Sequence, residues 1–96
     1  MTTDLKTQLQ EEIAEIDWNA LQPHARRDAL IVVNPLLDLV AVGVAIAEDN
    51  KQVVDRWIRE QLICKPSVDD LSNWNAQPEK MFKTLIVQPF VLISAI

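Results

Sequence analysis

The sequence predicts an α+β fold, with four to five short helices packed on a small sheet of two or three strands. Three observations carry this. Leu5, Leu9, Ile13 and Ile16 recur at helical spacing near the start of the chain. The runs Ala29–Val33 and Thr84–Ile93 are rich in the β-branched residues that favour strands. Between them, Leu30 to Ala47 is opposed to burial only by Asn34, Pro35 and Asp38. Such a stretch demands cover from the rest of a small domain or from a second copy of it.

Asp4 to about Leu21 reads as the first helix. Its apolar stripe faces one way, and Lys6, Gln8, Gln10, Glu11, Glu12 and Glu15 fill the other face. Thr3 is suited to cap it. Pro23 biases Gln22 away from helix and should end it. Ala29–Val33 is then a buried strand, stopped by Asn34-Pro35. That pair can also open a helix, with Asn34 as N-cap and Pro35 at the first position. Asp38 falls near the positive end of that helix dipole.

Val40 to Ala47 alternates large and small residues, which suits a strand, but the cap signal and the alanines favour a buried helix. In a helix, Gly43 and its alanine neighbours would let a second backbone approach closely. Asp49 or Asn50 caps the next helix, about Lys51 to Leu62, with Val53, Val54, Trp57, Ile58 and Leu62 as its stripe. Lys51–Asp55, Asp55–Arg59 and Arg56–Glu60 lie four apart, a spacing at which pairs contribute about 0.2–0.5 kcal/mol each. Leu62-Ile63-Cys64 is a short extended piece. Ser67 and Asp70 resemble a capping box opening a helix to about Asn75. Pro78 starts a turn. Thr84–Ile93 is the longest strand, and Pro89 marks an edge position, a bulge or a break into two strands. Trp18, Trp57 and Trp74 are expected to stitch the helices together.

The chain has 96 residues, room for one domain spanning residues 1–96. Nearly half are apolar (49%), more than a small globule can hide, so some apolar surface should meet another subunit or partner. The formal charge is −5, from 14 acidic and 9 basic residues. That balance argues against a phosphate-backbone binder, which needs a concentrated basic face. Asp49–Ser67 has a winged-helix-like layout. Its would-be recognition helix sets Asp55 and Glu60 against Lys51, Arg56 and Arg59, so nucleic acid is not the expected partner. A single glycine excludes long Gly-rich phosphate loops. One cysteine, Cys64, excludes an intramolecular disulfide and fits a reducing cytosol. The first residues do not read as a signal peptide. The longest apolar run, Leu39–Ala47, is far short of the roughly 18–20 residues that span a bilayer. A cytoplasmic protein without a membrane span is expected.

Asp38, within PLLDLV, is the one candidate for a buried carboxylate acting as acid or base, with Arg26 or Arg27 as partner. The plainer reading is a helix-start acid held by backbone N–H groups or by one of those arginines. Asp38 and Asp49 cannot form a carboxylate pair, because eleven helical residues separate them by about 16 Å. His24 and Cys64 are the only soft metal-binding side chains, too few for a zinc site. They read as a surface or turn histidine and a packed cysteine. No catalytic set, cofactor motif or metal motif is visible.

Several segments, taken in order, carry a resemblance: Trp18-x-x-Leu21, Leu37-Asp38-Leu39-Val40, Ala45-Ile46-Ala47-x-Asp49, Trp57, Lys65-Pro66-Ser67, Trp74 and Val87-Gln88-Pro89-Phe90-Val91-Leu92. Together they resemble a family of short bacterial proteins, domain-of-unknown-function family 2288, over nearly the whole chain. Ala41 departs from it, standing where many relatives are expected to carry an acid. The resemblance implies a stand-alone bacterial protein and supplies no activity, substrate or catalytic residue.

The leading expectation is a non-enzymatic interaction or regulatory module that self-associates as a homodimer. Its interface would use Val40 and Val44 in the apolar stretch, or Phe90, Val91 and Ile93 in the C-terminal strand, which would be sticky if left as an edge. The alternative is a small-molecule-binding protein or minor enzyme using Asp38 with Arg26 or Arg27.

Overall fold

The computed structural model describes residues 5–95. Among them the chain forms, in order, α1 (Leu5–Glu11), β1 (Ala14–Asp17), α2 (Trp18–Arg26), β2 (Leu30–Val33), α3 (Leu39–Ala47), α4 (Lys51–Arg59), β3 (Ile63–Cys64), α5 (Val68–Asn75), β4 (Met81–Val87) and β5 (Phe90–Ala95). The α+β class holds, but the sheet has five strands, in the order β1-β4-β5-β2-β3. It is mixed: β2 and β5 run parallel, and the other neighbours antiparallel. The architecture therefore differs from a winged helix.

The expected first helix is two helices with a strand between them. The proposed cap Thr3 and start Asp4 lie outside the described residues. Ile16 satisfies a helical stripe and strand alternation equally well. The strand wins because β4 accepts it in antiparallel register, Ile16 opposite Phe82. Asp17 then caps α2, its carboxylate accepting from the Ala20 N–H at 3.0 Å. Pro23 does not end this helix but sits exposed within it. Burial of Trp18 and Leu21 on the opposite face outweighs the lost backbone hydrogen bond.

Thr84–Ile93 is a hairpin rather than one strand. It turns at Gln88–Pro89, whose peptide bond is cis, and β5 comes to rest in the middle of the sheet. Flanked by β4 and β2 and covered on both faces, Val91, Leu92 and Ile93 are all buried, as a continuous apolar run in an interior strand should be.

Strand alternation divides the core in two. On one face Val33, Ile63, Leu85, Val87 and Leu92 pack under α1 and α3, with Val54 and Trp57 of α4 against their margin. On the other, Leu30, Phe82, Val91 and Ile93 pack under α2 and α5. Trp18, Trp74 and Phe82 form the centre of this second layer, with ring centroids 5.0 Å apart for Trp18–Trp74 and for Trp74–Phe82. Two tryptophans thus join α2 to α5, while Trp57 serves the opposite face.

The apolar stretch after β2 is helical, as favoured, but Asn34 does not cap it. Asn34 folds its side chain onto the Leu36 N–H at 2.8 Å, making a turn, and Asp38 caps α3 instead through the Val40 N–H at 3.1 Å. Gly43 faces side chains of α1 and β4 rather than a second backbone. Of Asp49 and Asn50, it is Asn50 that caps α4, and the box at Ser67 with Asp70 forms as read.

Candidate functional site

Three helices end in the same way. Asp28, Asp49 and Gln61 adopt left-handed backbone, with φ of 58°, 56° and 59°. Each follows the last turn of α2, α3 or α4, and paired hydrogen bonds close each end. The Asp49 N–H reaches the Ile46 carbonyl and the Asn50 N–H the Ala45 carbonyl. The matching pairs are Asp28 to Ala25 with Ala29 to His24, and Gln61 to Ile58 with Leu62 to Trp57. This geometry favours glycine, which the chain does not use here. Two of the three turns consequently present carboxylates.

Those two turns border a cleft of about 580 Å³. Ile31, Ile63 and Phe90 contribute from the strands, Ala45 and Ile46 from the end of α3, and Val54 and Ile58 from α4. Its rim carries Asp28, Asp49, Lys51, Asp55, Cys64 and Lys65. The α4 helix explains the opening. Its stripe is strongly apolar, yet no residue of α4 is fully buried. Val53, Val54 and Trp57 are half-buried, and Ile58 is 53% exposed. A side chain of this size gains about 1.5–3 kcal/mol from complete burial, so α4 leaves part of that stabilisation unused. Phe90, at the start of β5, remains 37% exposed.

Charge on the rim is partly matched. The Lys65 ammonium lies 2.5 Å from the Asp28 carboxylate, and Lys51 lies 4.0 Å from Asp49. Among the described residues, none of the α4 pairs expected from spacing forms and Asp55 has no ion-pair partner. Cys64 is not the packed cysteine expected from the sequence: it is the outward-facing residue of β3, exposed and in no disulfide, with no hydrogen bond to a base among the described residues.

The residues singled out in the sequence lie elsewhere. Asp38 is exposed and spends its carboxylate on capping α3. Arg26 and Arg27 stand at the end of α2, where the Arg27 guanidinium donates to His24 Nδ1. They precede β2 and Asp38 follows it, and no ion pair joins them among the described residues. It is the far end of α3, at Asp49, that shares the cleft with Asp28. Nine helical residues place Asp38 about 13 Å from that end.

Of the residues expected at an interface, Val40, Val91 and Ile93 are covered by the chain's own helices and strands. Val44 is half-buried against the core. Only Phe90 is exposed, and it lines the cleft. The cleft carried no distinguishing signal in the sequence: Ile58 reads as part of an ordinary apolar stripe on α4.

Among the described residues, no group of three or more His, Cys, Asp or Glu side chains is placed to hold a metal ion. No helix among them is long and apolar enough to cross a membrane.

Comparison with known proteins agrees with the resemblance read from the sequence. No curated protein matches the chain. Among solved structures, the NMR solution structure of PA1075 from Pseudomonas aeruginosa is similar. It is 32% identical, with a TM-score of 0.81 over 99% of this chain and 87% of that one. Residues 4–95 match the family described as "Protein of unknown function (DUF2288)", and the chain belongs to that family.

Proposed function

We propose that this protein is a small-molecule-binding module whose working site is the cleft between α4 and the sheet. One observation carries the reading: the amphipathic helix α4 holds its apolar stripe half-covered over an open cleft of about 580 Å³. That volume falls within the roughly 300–1,000 Å³ of small-molecule sites, and an apolar lining with a few polar groups at the rim is their usual composition. The side chains around the cleft suit binding better than catalysis, because no nucleophile is coupled there to a base.

The test uses a neutral probe, 3-phenylpropan-1-ol, titrated into labelled protein and followed by amide chemical shifts in NMR. Shifts confined to Ile31, Val54, Ile58, Ile63 and Phe90 are the expected result, and Ile58→Gln should abolish them without unfolding the chain. A probe that moves no cleft amide at millimolar concentration would overturn the reading.

A second reading is self-association through the same surface, favoured by the exposure of Ile58 and Phe90, which both line the cleft. It expects a dimer by sedimentation equilibrium that Ile58→Gln returns to monomer. A monomer at high concentration leaves the cleft to a small ligand.

A further inference from the structure

We propose that the cleft selects a ligand with an apolar body and one cationic group, a hydrophobic amine, with Asp55 as the anchor for its charge. The proposal rests on the cleft being the binding site and adds the chemistry of the ligand.

The rim carries three carboxylates, Asp28, Asp49 and Asp55, against two ammonium groups, Lys51 and Lys65. Each lysine stands near a carboxylate of its own. Lys65 lies against Asp28, and Lys51 within ion-pairing distance of Asp49. Asp55 is left over among the described residues: Lys51 and Arg59 stand four residues to either side of it on α4, and neither pairs with it. An anionic ligand would share its lysine with a carboxylate already beside it and approach the remaining carboxylates. A cationic ligand meets a free carboxylate without displacing anything.

Two further features point the same way. The chain's net charge of −5 gives the approach a negative background field. Phe90 adds an aromatic ring to the lining, and an aromatic face attracts a cation but not an anion. The apolar side chains hold the body of such a ligand and the rim chooses its charge.

The experiment compares three probes of one shape: 3-phenylpropylammonium, 3-phenylpropan-1-ol and 3-phenylpropionate. Each is titrated by NMR and, independently, by its protection of Cys64 from a thiol reagent, since the single cysteine lies on the rim. The amine should bind about fivefold more tightly than the alcohol, as one exposed charge pair near 4 Å allows, and the carboxylate more weakly than either. Added salt should shrink the amine preference. Asp55→Asn, an exposed helix position, should bring the amine down to the alcohol while leaving alcohol binding unchanged. Equal binding of the three probes, or a preference for the carboxylate, overturns the cationic assignment while the cleft stands. Full amine preference in Asp55→Asn overturns Asp55 as the anchor. Failure of all three probes overturns the cleft reading itself.

Discussion

The indole N–H of Trp18 donates to the side-chain oxygen of Asn75 at 2.9 Å, tying the first residue of α2 to the last residue of α5. Trp18 is only 1% exposed, so this acceptor satisfies a donor that the sheet and Trp74 otherwise seal from water. Asn75→Ala removes the acceptor and leaves the indole to whatever solvent can reach it. The expected cost is about 1–2 kcal/mol. For a chain of this length that is a fall of several degrees in Tm, and thermal unfolding followed by tryptophan fluorescence checks it. Asn75→Asp, which keeps an oxygen acceptor, should lose less. An unchanged midpoint in Asn75→Ala would show that the hydrogen bond does not hold the two helices.

Gly43 is the contact point between α3 and the sheet. A Cβ there would stand 2.7 Å from Leu85 Cδ2 and 3.3 Å from Leu9 Cδ1. Alanine is favoured over glycine in a helix by about 1 kcal/mol, so propensity alone would make Gly43→Ala stabilising. Leu85 is fully buried and has little room to turn away, and overpacking of a core costs about 1–3 kcal/mol. The crowding should win, with a net loss near 1 kcal/mol and a larger one for Gly43→Val. Urea denaturation decides the sign, and a stabilised Gly43→Ala would mean that α3 can lift from β4 cheaply.

Gln61 holds a left-handed conformation at the end of α4 with φ of 59°. Non-glycine residues cost about 1–2 kcal/mol there, and glycine gives part of that back as unfolded-chain entropy. Gln61→Gly is therefore expected to stabilise the protein by about 0.5–1 kcal/mol. Asp28→Gly and Asp49→Gly should gain less, since aspartate tolerates this region better than glutamine. Both would also remove a carboxylate from the cleft rim. Denaturation midpoints of the three variants test the ranking.

Lys65 and Asp28 form the closest ion pair at the rim, yet their side chains are 64% and 70% exposed. Pairs of this kind contribute little to folding, so Lys65→Ala should change stability by less than about 1 kcal/mol. Its effect belongs to binding: with Asp28 released, the amine probe should bind severalfold more tightly. Calorimetric titration beside a melting curve separates the two effects. A large loss of stability with unchanged affinity would assign the pair a structural role instead.

Much of the local structure could be read directly from the residues. Asn50 and the Ser67–Asp70 box cap α4 and α5 as expected, and the apolar stretch Leu39–Ala47 is a helix. The break after α1 could not be read, because Ile16 suits helix and strand equally and only its pairing with β4 decides between them. Asn34 carried the right chemistry for a cap and used it on a turn four residues before Asp38 did the capping. The candidate site was hardest to see. Asp38, Arg26 and Arg27 drew attention as charges beside an apolar stretch, whereas the cleft is made by residues ordinary in sequence, Ile58, Phe90 and Asp55 among them.

The sequence by itself determined the α+β class, the capping box of α5, the helical state of Leu39–Ala47 and the apolar stripe of α4. These depend on residue type and on neighbours a few positions away. The tertiary structure alone decided that β5 is an interior strand, that Val40, Val91 and Ile93 are covered, and that Asp28, Asp49 and Asp55 surround one opening. The physical reason is that strand pairing and burial are settled by the free energy of the whole packed core. A segment's own composition sets how much apolar surface it must hide, but not which distant segment will cover it.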